Sequence, residues 1–122
     1  MIQKVMLAII VLVSSTPVYA DNNEASRASM LVNSCKEAVR LFDGGTGAEL
    51  LAGHCMGHFS GMLSLHLYSN AVWGSSFICW PNGVTVEQMI RVYLKYMGNH
   101  PERLHNPTSF TVLDAAKDAF TC

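Results

Sequence analysis

Four cysteines, Cys35, Cys55, Cys79 and Cys122, constrain this 122-residue chain more than any other feature, because of what precedes them. Residues 1–20 begin with a basic Lys4 and continue into an unbroken apolar run over residues 5–13. Residues 14–17 break that run, and Val18-Tyr19-Ala20 offers a small-residue cleavage site. This is the pattern of a secretory leader removed after Ala20. The run's nine residues rise only about 14 Å as a helix, against about 30 Å of bilayer hydrocarbon, so they are too short to span. No cysteine stands at the cleavage site to carry a lipid. The expected product is a periplasmic domain over residues 21–122, with no further segment apolar enough to cross a membrane.

An even number of cysteines in an exported domain reads as disulfides. Four cysteines allow three pairings, and helix geometry favours one. Cys35 stands eight residues before Asp43, and Cys55 eight after Gly47. If residues 43–47 turn a helical hairpin, both thiols lie about 12 Å from the turn and are level across it. That pairs Cys35 with Cys55 and, by elimination, Cys79 with Cys122. The chain-entropy relation assigns about 3 and about 4 kcal/mol to the two loops. The competing use, a zinc site, needs closer spacing. No two of the four lie within four residues of each other, so no knuckle exists.

Composition narrows the class. Half the residues are hydrophobic and 14% are charged, which excludes a disordered chain. The length excludes two ordinary domains. Without Lys4 the expected domain has seven Lys/Arg against nine Asp/Glu, which gives no electrostatic basis for binding nucleic acid.

Hydrophobic period supplies the helices. Over residues 23–42, Ala28, Leu31, Cys35, Ala38, Val39 and Phe42 recur at helical steps, and the glycines of residues 43–47 end the run. Residues 48–73 predict a longer helix, with Leu51, Cys55, Phe59, Met62 and His66 on one face. Gly53, Gly57 and Gly61 recur every fourth residue in it. Each costs about 1 kcal/mol against alanine, so the ridge predicts close approach by another backbone, an intramolecular crossing in preference to a subunit contact. Pro81-Asn82-Gly83 is turn chemistry. Thr85 with Gln88 is a capping box opening a helix over residues 86–97. That helix has Met89, Tyr93, Tyr96 and Met97 on one side, with Ile90 and Leu94 beside them. A short turn is expected at residues 102–105. Asn106 as N-cap and Pro107 at the first helical position predict the last helix. Its face is Phe110, Leu113, Ala116, Ala119 and Phe120, with Val112 at the edge. The expected fold is all-α: four main helices and a short helical turn, stapled by two disulfides.

The chain is poor in reactive constellations. His54 and His58 could share a metal from one helix face, but a zincin needs Glu where Cys55 stands, and no third ligand is spaced to join them. The pair reads as incidental. His100 and His105 flank helix punctuation and read as capping or surface residues. A cysteine nucleophile needs a free thiol. Ser60, Ser64, Ser75 and Ser76 lie in no GxSxG elbow. Glu37, Glu49, Glu87, Glu102, Asp114 and Asp118 read as solvated faces and caps. Residues 44–47 lack the lysine of a phosphate loop. No catalytic residue, cofactor or metal is expected, and no enzyme. Trp73, Phe77, Trp80, Tyr93 and Tyr96 are read as core, with any exposed excess pointing to a protein partner.

Several segments together resemble one family. Residues 77–89, FICWPNGVTVEQM, are similar to an ICxPxGVTxxQ motif of the Rap/Tai immunity proteins linked to type VI secretion. Residues 96–108, YMGNHPERLHNPT, resemble that family's YLxxHPExxHxPA run, residues 119–122 its AFPC ending, and residues 55–61 its CxGYxxG. His58 stands for the tyrosine, Leu65 near where an acid is common, and Thr121 for the final proline. The resemblance implies a small exported all-α domain, typically a homodimer. It implies a domain that occludes a peptidoglycan amidase effector and protects the producer from kin attack. Cys35, Cys55, Cys79, Cys122, Gly57, Gly61, Pro81, Gly83, His100 and Pro101 carry over as scaffold positions. No partner-contacting residue carries over. The alternatives are an exported helical stress chaperone, or an orphan family member with another periplasmic partner.

Overall fold

The computed structural model describes residues 27–74 and 78–121. The expected leader with its cleavage site after Ala20 lies outside the described residues, as do Phe77 and Cys122. Four α-helices and one short 3-10 turn form the regular structure: α1 (Ala28–Phe42), α2 (Glu49–Trp73), α3 (Val86–Asn99), the turn Pro101–Arg103, and α4 (Thr108–Ala119). An isolated bridge between Arg27 and Pro107 is the one strand-like pairing among the described residues.

The α1–α2 hairpin forms where the glycine run predicts it. Gly44 takes a φ of +77°, which suits a residue without a Cβ. Gly45 N donates to Arg40 O at 2.9 Å. The chain then reverses so closely that a Cβ on Gly47 would stand 2.9 Å from the Glu37 carbonyl oxygen. No N-cap side chain serves α2. Glu37 does so from the neighbouring helix, its carboxylate accepting from Ala48 N at 3.0 Å.

Cys35 and Cys55 face each other across this hairpin and are bonded, with Cα atoms 5.0 Å apart. The described residues contain this one bridge. The other expected pair, Cys79–Cys122, ends outside them, and Cys79 carries no free thiol. Around the bridge, Leu31, Cys35 and Ala38 of α1 share a buried cluster with Ala52, Cys55 and Phe59 of α2.

Thr85 caps α3 as expected, accepting from Gln88 N at 3.1 Å. Met89, Ile90, Tyr93 and Met97 enter the core. Tyr93 is the largest fully buried side chain. Its ring meets that of Phe59 at 5.6 Å, and its hydroxyl pairs with Thr111 Oγ1 at 3.2 Å. Burial of each such side chain contributes about 1.5–3 kcal/mol.

The last helix departs from expectation twice. It starts at Thr108, with Pro107 as the residue before it and no side-chain cap. Asn106 does not cap it; its backbone carbonyl accepts from Ala28 N at 2.9 Å, fastening the start of α1. The buried face is Thr111, Val112, Ala115 and Ala116. Phe110 is 63% exposed, and Val112, expected at the edge, is core. The helix is rotated by about one position because small residues let α4 lie close to Tyr93, whose hydroxyl needs Thr111.

Candidate docking surface

The polar groups that could do chemistry are placed first. Ser34 Oγ lies 3.0 Å from His54 Nδ1, a hydroxyl–imidazole pair. Ser34 is fully buried, so no substrate reaches it, and the bond ties α1 to α2. His58 is half-buried beside Phe59, with its Nε2 buried and unpartnered. Burial, then the neighbouring His54, holds its imidazole below the ordinary value. The two histidines are neighbours as their spacing predicts, but among the described residues no third His, Cys, Asp or Glu joins them or any other pair.

The other predicted positions fall at helix ends. His100 closes α3, its N–H bonded to Met97 O and its Nδ1 3.1 Å from Glu102. His105 is exposed. Ser60 is exposed, and Ser64 Oγ donates to the Ser60 carbonyl within the helix. Arg91 links the hairpin turn to α3, 2.7 Å from Asp43 and 2.8 Å from Glu87. Arg103 pairs with Asp114 and lies over the Tyr96 ring. These exposed pairs fix geometry and contribute little net stability.

What remains unusual is α2. Among the described residues, seven of the eight exposed large apolar side chains lie on it: Leu50, Met56, Leu65, Leu67, Tyr68, Val72 and Trp73. The reason is length. α2 has 25 residues and α1 has 15, so α2 runs about 15 Å farther. With Cys35 level with Cys55, α1 has ended by the second half of α2. Trp73, expected in the core, is 62% exposed at that end and meets Tyr68 edge to face at 6.0 Å. Trp80 and Tyr96 are half-buried, and among the described members of the expected aromatic group Tyr93 alone is fully buried.

The glycine ridge is corrected as well. Gly53, Gly57 and Gly61 are exposed, and a Cβ on any of them would meet nothing within 4 Å. None of the four described helices crosses there. The Cys35–Cys55 bond and buried Phe59 turn the opposite side of α2 to α1, which leaves the glycines outward.

Under the far half of α2 lies an apolar cleft of about 350 Å³ between Met62, Leu65, Trp73, Ile78 and Leu113. A second cleft of about 370 Å³, between α3 and α4, is polar and includes Lys95, Tyr96, His100 and Asp118. One sequence signal marks the first region. Between Glu49 and Glu87 there is no Asp, Glu, Lys or Arg. An exposed helix face with no charge after its first residue has the composition of a protein interface core, where charged residues are depleted and aromatics and Met enriched.

The description "Rap1a immunity proteins" matches residues 27–122. The chain belongs to this family. The match covers all four helices, the Cys35–Cys55 bridge and the charge-free stretch. No curated protein and no solved structure matches it. Of the positions expected as family scaffold, Cys35 and Cys55 are buried and bonded, and Gly83 makes its turn with φ +85°. A Cβ on Gly57 or Gly61 would meet nothing within 4 Å.

Proposed function

We propose that this chain is a periplasmic immunity protein of type VI secretion. In this reading it is exported by residues 1–20 and held by a second disulfide, Cys79–Cys122. It acts as a homodimer that binds a peptidoglycan amidase and occludes its cleft, protecting the producer from its kin. The family match over residues 27–122 carries this reading. Two features support it. Ser34, the hydroxyl that meets the His54 imidazole, is buried out of reach of a substrate, and the broad apolar surface is suited to holding a protein by shape. The direct test mixes the purified chain with each cell-wall hydrolase found encoded in its genomic neighbourhood. Inhibition at one chain per enzyme is expected. Full hydrolysis at large excess, for every adjacent hydrolase, removes the reading.

The exposed apolar half of α2 also favours a second reading, an exported chaperone that holds unfolded clients. It predicts suppressed light scattering by an acid-stressed client, with no preference among clients.

A further inference from the structure

We propose that Asn82 is a self-modification site. In the folded chain the Gly83 amide nitrogen displaces the side-chain nitrogen of Asn82 as ammonia, leaving aspartate and isoaspartate there. The reaction needs water and no partner, so it stands apart from the immunity reading.

The fold singles out this asparagine. Attack requires that the next amide be free to swing onto the side-chain carbonyl carbon. The described residues hold five asparagines, Asn33, Asn70, Asn82, Asn99 and Asn106. Asn33 and Asn70 lie inside α1 and α2, where the next amide belongs to the helix ladder. Asn99 is followed by His100, whose N–H donates to Met97 O at 3.2 Å. Asn106 is followed by Pro107, which has no N–H to lose.

Asn82 has none of these restraints. Val84 N donates to Pro81 O at 3.3 Å, which makes Asn82–Gly83 the central peptide of a turn. Residues 81–83 are exposed. Among the described residues neither the Gly83 N–H nor the Asn82 side chain has a hydrogen bond. Gly83 has a φ of +85°, and a Cβ on it would meet nothing within 4 Å. No side chain on residue 83 and no packed neighbour therefore blocks the rotation.

The other acyl–glycine pair shows the contrast. Asp43–Gly44 has the sequence for the same ring closure. Its amide donates to Leu41 O at 3.1 Å, and Arg91 holds the Asp43 carboxylate at 2.7 Å. Both reacting groups are fastened.

The step balances with water alone. A bond forms between Gly83 N and Asn82 Cγ, and the Cγ–Nδ2 bond breaks. The Gly83 amide proton passes through solvent to the departing nitrogen, which leaves as ammonia. Water then opens the five-membered imide at either carbonyl, giving aspartate or the β-linked isoaspartate. No electrons are exchanged.

The product changes the surface. Between Glu49 and Glu87 the unmodified chain has no Asp, Glu, Lys or Arg, so the new carboxylate is the first charge in that stretch. It arises on the wall of a cleft of about 270 Å³ that Asn82 shares with Leu63, Leu67 and Trp80. The apolar half of α2 thus gains a negative neighbour as the chain ages.

Mass spectrometry on the folded, exported chain, incubated at pH 7.5 and 37 °C, tests this. A gain of one mass unit is expected, placed by fragmentation at residue 82, with two products of which isoaspartyl methyltransferase labels one. The rate is expected to stay within tenfold of that in a free peptide of residues 80–86, and to rise with pH. Gly83→Ala is expected to slow it at least tenfold, with helical circular dichroism unchanged. Asn82→Ser keeps the glycine turn and is expected to abolish the acidic species on isoelectric focusing. An Asn82 that stays intact while the free peptide reacts overturns the proposal. So does equally fast modification of Asn33, Asn70 or Asn99, or isoaspartate forming at residue 43 at a similar rate.

Discussion

Ser34 Oγ stands 3.0 Å from His54 Nδ1, one residue ahead of each end of the Cys35–Cys55 bridge. A covalent clamp and a polar clamp thus sit side by side between α1 and α2. They fix the register of the hairpin, and with it the side of α2 that faces outward. The covalent clamp closes a loop of 20 residues. Replacing both cysteines by alanine is expected to lower the unfolding free energy by about 2–5 kcal/mol. Ser34→Ala is expected to cost about 1 kcal/mol, since exposed His54 can turn to water. Urea titration measures both, and equal effects from the two changes would contradict the assignment of the main clamp to sulfur.

His58 gives the fold an acid sensitivity. Its imidazole is held below the ordinary value of 6.5, first by burial and then by His54. The unfolded chain therefore takes up this proton before the folded chain does. The stability is complete above about pH 6.5 and is lost as the pH falls from there to the lowered folded value. Unfolding midpoints at pH 7.5 and 5.5 are expected to differ more for the wild type than for His58→Gln. Glu102 is also held low, mainly by a backbone hydrogen bond, but its window lies below about 4.5 and does not overlap. An identical pH slope in the two proteins rules this account out.

Tyr93→Phe isolates one buried hydrogen bond. The Tyr93 hydroxyl pairs with Thr111, which also donates to Thr108 O at 3.0 Å and so keeps a partner in the variant. The expected loss is about 1 kcal/mol. Thr111→Val removes the partner beneath the tyrosine hydroxyl and is expected to cost more, about 1–3 kcal/mol. Thermal unfolding orders the two, and the reverse order contradicts the bonding pattern.

How much of this was legible in the sequence depends on the element. The hairpin and its bridge were, because helical rise alone puts Cys35 and Cys55 level about one short turn. The Thr85 cap was, because a side chain three residues before an amide has few other uses. The phase of α4 was not. Phe110 and Phe120 look like core residues on hydrophobicity, yet the contact with Tyr93 needs Thr111 and small alanines, and the buried face follows them. The glycines of α2 told that something small was wanted but not on which side, since the disulfide settles the rotation of the helix. The absence of charge from Leu50 to Val86 was in plain view, and it marks the open face better than the glycines do.

Glycine also supplies a stability test. Gly57 has open space where a Cβ would go, so alanine there should strengthen the helix. Gly57→Ala is expected to raise the unfolding free energy by about 0.5–1 kcal/mol. A loss of stability, read by urea unfolding, contradicts the open space at Gly57.

The central claim is that this chain disarms a cell-wall enzyme by covering it. The most direct measurement is peptidoglycan digestion by any hydrolase found encoded in the chain's genomic neighbourhood, followed by release of soluble fragments while the chain is titrated in. The account predicts that cleavage stops at an equimolar point and that the chain emerges uncleaved and chemically unchanged. Digestion that continues at the same rate under saturating chain contradicts it.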